Sequence, residues 1–325
     1  MFEIFSIPSP ALFGQLLIGL INGSFYALLS LGLAVIFGML NVINFTHGAQ
    51  YMLAAFVAYI LLQTLGIGYW PALILSPLIV GILGMITERL LLQYLGLNYW
   101  AALVIVPLLV GASGIIVERL FLRYVRELDH LYGLILTFGL ALVIEGFFRN
   151  YFGSSGEPYQ VPDVLQGGHN LGFMFLPNYR AWVIVFSLIV CFATWFAIER
   201  TRLGSYLRAA TENPTLVRAF GIDVPRMVTL TYGFGVGLAA LAGVMAAPIY
   251  NVSPQMGSDI IIVVFAVVVI GGMGSILGAI LTGFALGIIE GLTKVFYPEA
   301  SATVIFIIMV LVLLVKPAGL FGRAA

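Results

Sequence analysis

The stretch GMLNVINFTHG at positions 38–48 sets Asn41, Asn44, Thr46 and His47 into otherwise apolar surroundings. Two readings follow: a helix breaks here with Asn44 and His47 beside a solute path, or these groups pair with free backbone groups at a helix end. A metal site is not a third, because His130 and His169 have no ligand spacing with His47. Glu145 has Arg149 four residues on and Glu290 has Lys294 at the same spacing, which suits ion pairs along helices better than proton relays. No Ser/His/Asp set, Cys/His pair or carboxylate dyad offers catalysis. Gly271-Gly272-Met273-Gly274 is not followed by Lys-Ser/Thr, so there is no Walker A loop to hold a nucleotide. These residues describe a conduit rather than an enzyme.

The second candidate is the segment 199–226, ERTRLGSYLRAATENPTLVRAFGIDVPR, with five arginines: Arg200, Arg202, Arg208, Arg218 and Arg226. Its pattern predicts a short helix over 205–213, a second begun by Pro214, and a stop at Gly221. Leu203, Leu207 and Ala210 share one face, which Leu216, Ala219 and Phe220 are expected to continue. Such an amphipathic pair either docks in a groove of a partner and transmits its motion, or rests on anionic lipid headgroups.

The elements that must position these groups are set by composition. Of 325 residues 62% are hydrophobic and 9% charged, with 14 basic against 14 acidic side chains. Soluble domains are about half apolar and about a quarter charged, so this chain cannot clothe a water-facing surface and is one integral membrane domain, 1–325. Net charge near zero without a basic run argues against nucleic-acid binding. Cys191 alone supports no disulfide framework. Met1 to Pro10 shows neither a basic start nor a cleavage site, so no removable signal peptide is expected.

Spans of about 20 apolar residues are expected near 12–37, 49–62, 70–86, 100–117, 131–148, 182–197, 228–247, 260–270, 275–296 and 303–315. Continuous apolar runs without period-2 alternation select helices over a barrel. The fold class is therefore all-α, a polytopic membrane protein of about 8–10 transmembrane helices, with the runs at 49–62 and 260–270 short or broken. Basic loops stay cytoplasmic, which places 199–226 and the C-terminus with Lys316 and Arg323 inside, and 150–180 outside in the periplasm.

One helix occurs twice. Residues 62–91 and 92–121 align without a gap at 17 identities, matching Tyr69-Trp70 with Tyr99-Trp100, Pro77 with Pro107 and Glu88-Arg89-Leu90 with Glu118-Arg119-Leu120. A single extra span inverts everything before it. Arg119, Arg123 and Arg126 cluster behind the second copy, which favours that copy as the equivalent of one ancestral helix and the first as the guest. Glycines four residues apart, Gly19/Gly23, Gly233/Gly237, Gly274/Gly278 and Gly283/Gly287/Gly291, mark close helix packing.

Taken together, NGSFYALLSLGLAVIFGMLNVINFTHG at 22–48, the 199–226 segment, LAALAGVMAAPIY at 238–250, VVVIGGMGSILGAI at 267–280 and LLVKPAGLFGR at 313–323 resemble the LivH-type inner-membrane permeases of branched-chain amino acid ABC importers. The family phrase NFAHG reads NFTHG here, and the duplicated helix is the larger departure. The resemblance implies alternating access in a bacterial inner membrane, with a LivM-like permease or a second homologous copy, two ATP-binding subunits and a periplasmic solute-binding protein as partners. It implies no cofactor on this chain, ATP and Mg being used by the partner subunits. It makes Arg208, Ala209, Glu212, Pro214, Arg218 and Gly221 the coupling element and sets Asn22, Tyr26, Asn44, Thr46 and His47 along the translocation path. Urea, short amides or aromatic acids remain alternative solutes, since no charged pocket in the sequence selects a ligand. A stand-alone secondary transporter would need buried ion-coupling carboxylates, for which only Glu145 and Glu290 offer themselves, and a membrane enzyme lacks its constellation.

Overall fold

A computed structural model describes residues 8–40, 44–88 and 131–322. The second repeat copy, the span expected at 100–117 and the basic residues Arg119, Arg123 and Arg126 lie outside the described residues. In chain order the helices are α1 (Ser9–Leu40), α2 (Thr46–Leu65), α3 (Tyr69–Glu88), α4 (Leu131–Phe152), α5 (Asn178–Arg200), α6 (Arg202–Glu212), α7 (Pro214–Ala219), α8 (Val224–Tyr250), α9 (Met256–Gly271), α10 (Ile276–Phe296) and α11 (Val304–Val315). Between α4 and α5 a small antiparallel hairpin pairs β1 (Gly168–Asn170) with β2 (Phe175–Pro177). Among the described residues five helices are long and apolar enough to cross a membrane, and shorter apolar helices lie at Tyr69–Ile82, Met256–Gly271 and Val304–Val315. The architecture is the all-α polytopic bundle that composition demands.

The ends of the bundle are fixed by contacts. At the hairpin face, Phe13 of α1 packs on Phe173 at 5.7 Å and the Tyr59 hydroxyl donates to Glu157 at 3.0 Å. Glu157 and Val252 also exchange backbone hydrogen bonds of 2.8 Å there. At the opposite, arginine face, the Thr211 hydroxyl donates to the Gly38 carbonyl at 3.1 Å, Gly274 closes on Gly38, and Leu320 N–H donates to Ile270 O at 2.8 Å. The C-terminal segment and α6 therefore share one face. Helix α1 runs from the hairpin face to the arginine face through the middle of the core, with Leu28, Leu29 and Leu31 fully buried.

Helices in lipid gain little from hydrophobic burial against each other, so close backbone approach decides which ones pair. The tightest seam joins α1 to α10. A Cβ on Gly283 would lie 2.5 Å from the Ala27 backbone, and one on Gly287 would lie 2.5 Å from Gly19 O. A second seam joins α3 to α8, where a Cβ on Gly81 would lie 3.2 Å from Gly233 O.

One of the expected glycine pairs needs correction. Gly233 and Gly237 are not equal partners in the α3–α8 seam. A Cβ on Gly237 would come no nearer than 4.0 Å, to Pro77 O, which is ordinary van der Waals contact, and Gly237 is only half-buried. The backbones approach closely where Gly81 meets Gly233 and stand further apart one turn along, so Gly237 has room for a side chain and Gly233 alone is a close-packing position. Gly274 and Gly278 both pack closely, but on different helices, Gly274 on Gly38 of α1 and Gly278 on α9. Gly274 sits in the turn before α10 at φ +80°, and Gly278 closes on Gly271 at the end of α9.

The first repeat copy forms α3. Its Tyr69 hydroxyl bonds Tyr179 at 2.8 Å, and Tyr179 in turn donates to Met245 O at 2.8 Å. Gly81, and the Tyr69 hydroxyl through Tyr179, seat the first copy on α8, while the second copy lies outside the described residues.

Candidate translocation path and coupling element

The chain turns back after α1 so that α2 begins deep in the bundle. Asn44 Oδ1 accepts from Thr46 N–H at 3.0 Å and from the Thr46 hydroxyl, which secures the first turn of α2. Asn44 Nδ2 donates to the Tyr232 hydroxyl of α8 at 3.1 Å, and Gln50 Nε2 reaches the same hydroxyl at 3.2 Å. His47, fully buried, places Nε2 at 3.0 Å from Leu29 O of α1. Donation to a carbonyl requires the proton on Nε2, which leaves Nδ1 an acceptor. Nδ1 of His47 and Oε1 of Gln50 are buried and make no hydrogen bond, although the Gln50 amide lies against the ring. Rotating that amide by 180° satisfies both, with Nε2 donating to Nδ1 and Oε1 accepting from Tyr232. Gly32 makes room for the imidazole, since a Cβ there would lie 3.0 Å from the ring. Asn44, Thr46 and His47 thus pair among themselves and with α1 and α8, tying three helices together.

The other two path residues, Asn22 and Tyr26, bond outside that cluster. Asn22 Oδ1 accepts from the Tyr250 hydroxyl at 2.8 Å. Tyr26 donates to Glu290 Oε2 at 2.6 Å, and Lys294 Nζ holds Glu290 Oε1 at 2.5 Å. Glu290 is buried and its charge is matched by Lys294. Glu145 and Arg149 form the corresponding pair on α4 at 2.6 Å. Among the described residues no three of His, Cys, Asp and Glu gather as a metal site.

The 199–226 segment folds as two short helices joined at Asn213. Its side chain accepts from Leu216 N–H at 3.0 Å and caps α7, while Pro214 takes the first position of α7. Gly221, at φ +80°, receives the turn that ends α7, its N–H donating to Arg218 O at 2.9 Å. Asp223 caps α8 in the same manner, accepting from Arg226 N–H at 3.1 Å. The expected continuous apolar face does not form. Asn213 adopts φ −147° and ψ 86°, and the bend brings Val217 rather than Leu216 over Ala210, with Val224 completing a small core. Leu203 and Tyr206 on α6 and Leu216, Ala219 and Phe220 on α7 face outward, Phe220 at 77% exposure.

Of the six coupling residues, Arg208 reaches Ile198 O at 3.3 Å and Glu199 at 3.4 Å, which pins α6 to the end of α5. Ala209 O accepts from Asn213 N–H at 3.0 Å. Arg218 and Glu212 are exposed and make no ion pair among the described residues. Gly204 seats α6 directly on the Ile198 backbone, a role its isolated position in the sequence does not announce.

Residues 15–313 match the family described as branched-chain amino acid transport system, permease component. The chain belongs to this family. Relatives of this permease family include the high-affinity branched-chain amino acid transport permease LivH of Escherichia coli, 29% identical over 95% of both chains. BraD of Pseudomonas aeruginosa, named for the same kind of system, is 30% identical over 95% of both. A probable LivH of Methanocaldococcus jannaschii is 27% identical over 93% of this chain and 90% of its own. No solved structure matches the chain. The permease match takes in the α2 polar cluster, the α1–α10 seam and the α6–α7 pair alike. Four positions that hold these together, Gln50, Tyr232, Gly32 and Gly204, were not singled out in the sequence; a lone Gln or Tyr in an apolar run has no spacing signature, and glycines outside a four-residue repeat look like any other.

Proposed function

We propose that the chain is the membrane-spanning subunit of an ABC importer that carries branched-chain or related amino acids inward by alternating access. The observation that carries this reading is the permease-family match across 15–313, with relatives of LivH and BraD type similar over 95% of the chain. The arginine face is cytoplasmic and the hairpin face meets a solute-binding protein, as the arginines of 199–226 and Lys316 favour. Two separate ATP-binding subunits hold ATP and Mg, and a second permease, LivM-like or homologous, completes the path. A LivM-type permease of Methanocaldococcus jannaschii is itself 27% identical over 58% of this chain, which supports pairing of like folds.

The geometry supplies a mechanical route. Leu203, Tyr206, Leu216 and Phe220 offer an ATP-binding subunit an apolar contact rimmed by Arg218 and Glu212. Movement of α6 reaches α1 through Thr211 and the Gly38 carbonyl, and α1 carries Asn22 and Tyr26 at its middle. The ATPases act by contacting the two states of this element unequally, since only differential contacts shift such an equilibrium. The test is co-expression of the importer with Arg218→Glu in this chain: uptake is lost while the permease itself still folds. Unchanged uptake and ATPase co-purification in that variant would remove α6–α7 as the coupling element.

A further inference from the structure

Between α6 and the body of the bundle, a cavity of about 450 Å³, counted to its open mouth, lies at the arginine face. Small-molecule sites occupy roughly 300–1,000 Å³, so this one suits a small solute. Part of its wall is apolar and buried: Ala34 and Val35 of α1, Leu207 of α6 and Ile276 of α10. The α8 wall carries Thr231, which is 7% exposed and makes no hydrogen bond among the described residues. A buried hydroxyl is normally satisfied by protein or by whatever fills the space before it.

Two opposite charges complete the lining, Arg208 of α6 and Glu199 of α5, at 40% and 42% exposure. They stand 3.4 Å apart, a looser pair than Glu145–Arg149 at 2.6 Å or Glu290–Lys294 at 2.5 Å. Only Nη1 of the Arg208 guanidinium is engaged, by Ile198 O at 3.3 Å and by Glu199, which leaves Nε and Nη2 with donors to spare among the described residues. The Glu199 carboxylate likewise has no closer partner there. A simple anion in this cavity would meet Glu199 and a simple cation would meet Arg208. A solute that bears both charges matches both, and an uncharged side chain on it matches the apolar wall.

We propose that this cavity is a regulatory site for the transported amino acid on the side to which it is delivered. Arg208 takes the carboxylate, Glu199 takes the ammonium group, and the Thr231 hydroxyl bonds one of the two. The inference rests on the amino acid importer reading, with the arginine face cytoplasmic, and adds regulation to it. An occupant would touch α6 together with α1, α5, α8 and the start of α10. Gly38, whose carbonyl holds the Thr211 hydroxyl, lies in the same wall, so the occupant braces the link through which α6 would move α1. A ligand favours the state it contacts better, so accumulated amino acid holds α6 against the bundle and slows its own import.

The complete importer in vesicles, with ATP enclosed beside the arginine face and binding protein outside, tests this. Preloading the lumen with unlabelled leucine lowers the initial rate of labelled leucine uptake several-fold. Thr231→Val transports at the unmodified rate into leucine-free vesicles but needs about ten-fold more luminal leucine for half-inhibition, the loss of one hydrogen bond to a charged group, and Thr231→Ser responds as the unmodified chain does. Occupancy is read directly with Thr231→Cys in a Cys191→Ser background, since Cys191 is the single cysteine of the chain: leucine, without ATP or binding protein, slows its reaction with a small neutral thiosulfonate. Initial rates independent of luminal leucine, or half-inhibition unmoved by Thr231→Val, overturn the site. Protection of Thr231→Cys by phosphatidylethanolamine in the vesicles, and not by leucine, assigns the cavity to a lipid headgroup and refutes the amino acid. Failure of the unmodified importer to carry leucine into leucine-free vesicles refutes the importer's assigned solute, while protection of Thr231→Cys by leucine in the same complex still decides the site.

Discussion

Replacing Gly283 by Ala tests whether the α1–α10 seam is set by backbone contact. The added Cβ would lie 2.5 Å from both Cα and N of Ala27, and 3.0 Å from its Cβ. Ordinary contact needs roughly 3.4 Å or more, so α1 and α10 must separate by about 0.9 Å, because neither neighbour is a side chain that can swing aside. The Ser30 hydroxyl bond to Ala279 O, 3.2 Å long, would stretch to about 4 Å and cease to be one. Overpacking and that bond together predict a loss of about 1–3 kcal/mol. The assay is thermal unfolding of the purified permease in detergent, read beside Gly146→Ala. Gly146 lies inside α4, and a Cβ there meets nothing within 4 Å. That variant should be stabilised by about 0.4–1 kcal/mol through the unfolded chain. Gly283→Ala must fall below the unmodified protein and Gly146→Ala must not. Equal midpoints for the two would refute the seam.

Tyr232→Phe removes the hydroxyl shared by Asn44 and Gln50, and should cost about 1–3 kcal/mol because two buried amides lose a partner; thermal unfolding measures it. Asn213→Ala removes the α7 cap, worth about 0.5–2 kcal/mol locally, and should weaken retention of the ATP-binding subunits in pull-down, with Asn213→Asp restoring it. Phe220→Ala should leave the unfolding midpoint of the isolated permease within about 0.5 kcal/mol, as an exposed side chain does, yet lower affinity for the ATP-binding subunit about ten-fold or more as an interface anchor does. Binding measured by titration in nanodiscs separates the two effects.

The hydropathy of the chain made the helices legible, and capping residues made α7 legible to within a residue: Pro214 starts it and Gly221 follows its end. The face of that element was not legible. Helical periodicity assumes one continuous rod, and the bend at Asn213 hands the inward position from Leu216 to Val217. Four-residue glycine spacing was a partial guide for a related reason. It marks a helix face, but only the point where two helices cross is tight, so Gly233 is pressed against α3 and Gly237 is not. The repeat was equally plain as a repeat, but Tyr69 and Gly81 in the first copy are matched by Tyr99 and Gly111 in the second. Residues identical in both copies cannot say which one takes the seat on α8. The polar stretch 38–48 announced an interruption, while its partners Gln50 and Tyr232 lie on α2 and α8 and became visible only once those helices met.

The central claim is that this chain is a conduit powered from outside itself. Leucine uptake into vesicles holding the chain with its second permease, ATP-binding subunits and binding protein tests it most directly. Uptake should require ATP at the arginine face, stop with a non-hydrolysable analogue, and be absent for the chain alone. Leucine accumulation by the chain alone, without ATP or partners, would contradict the account.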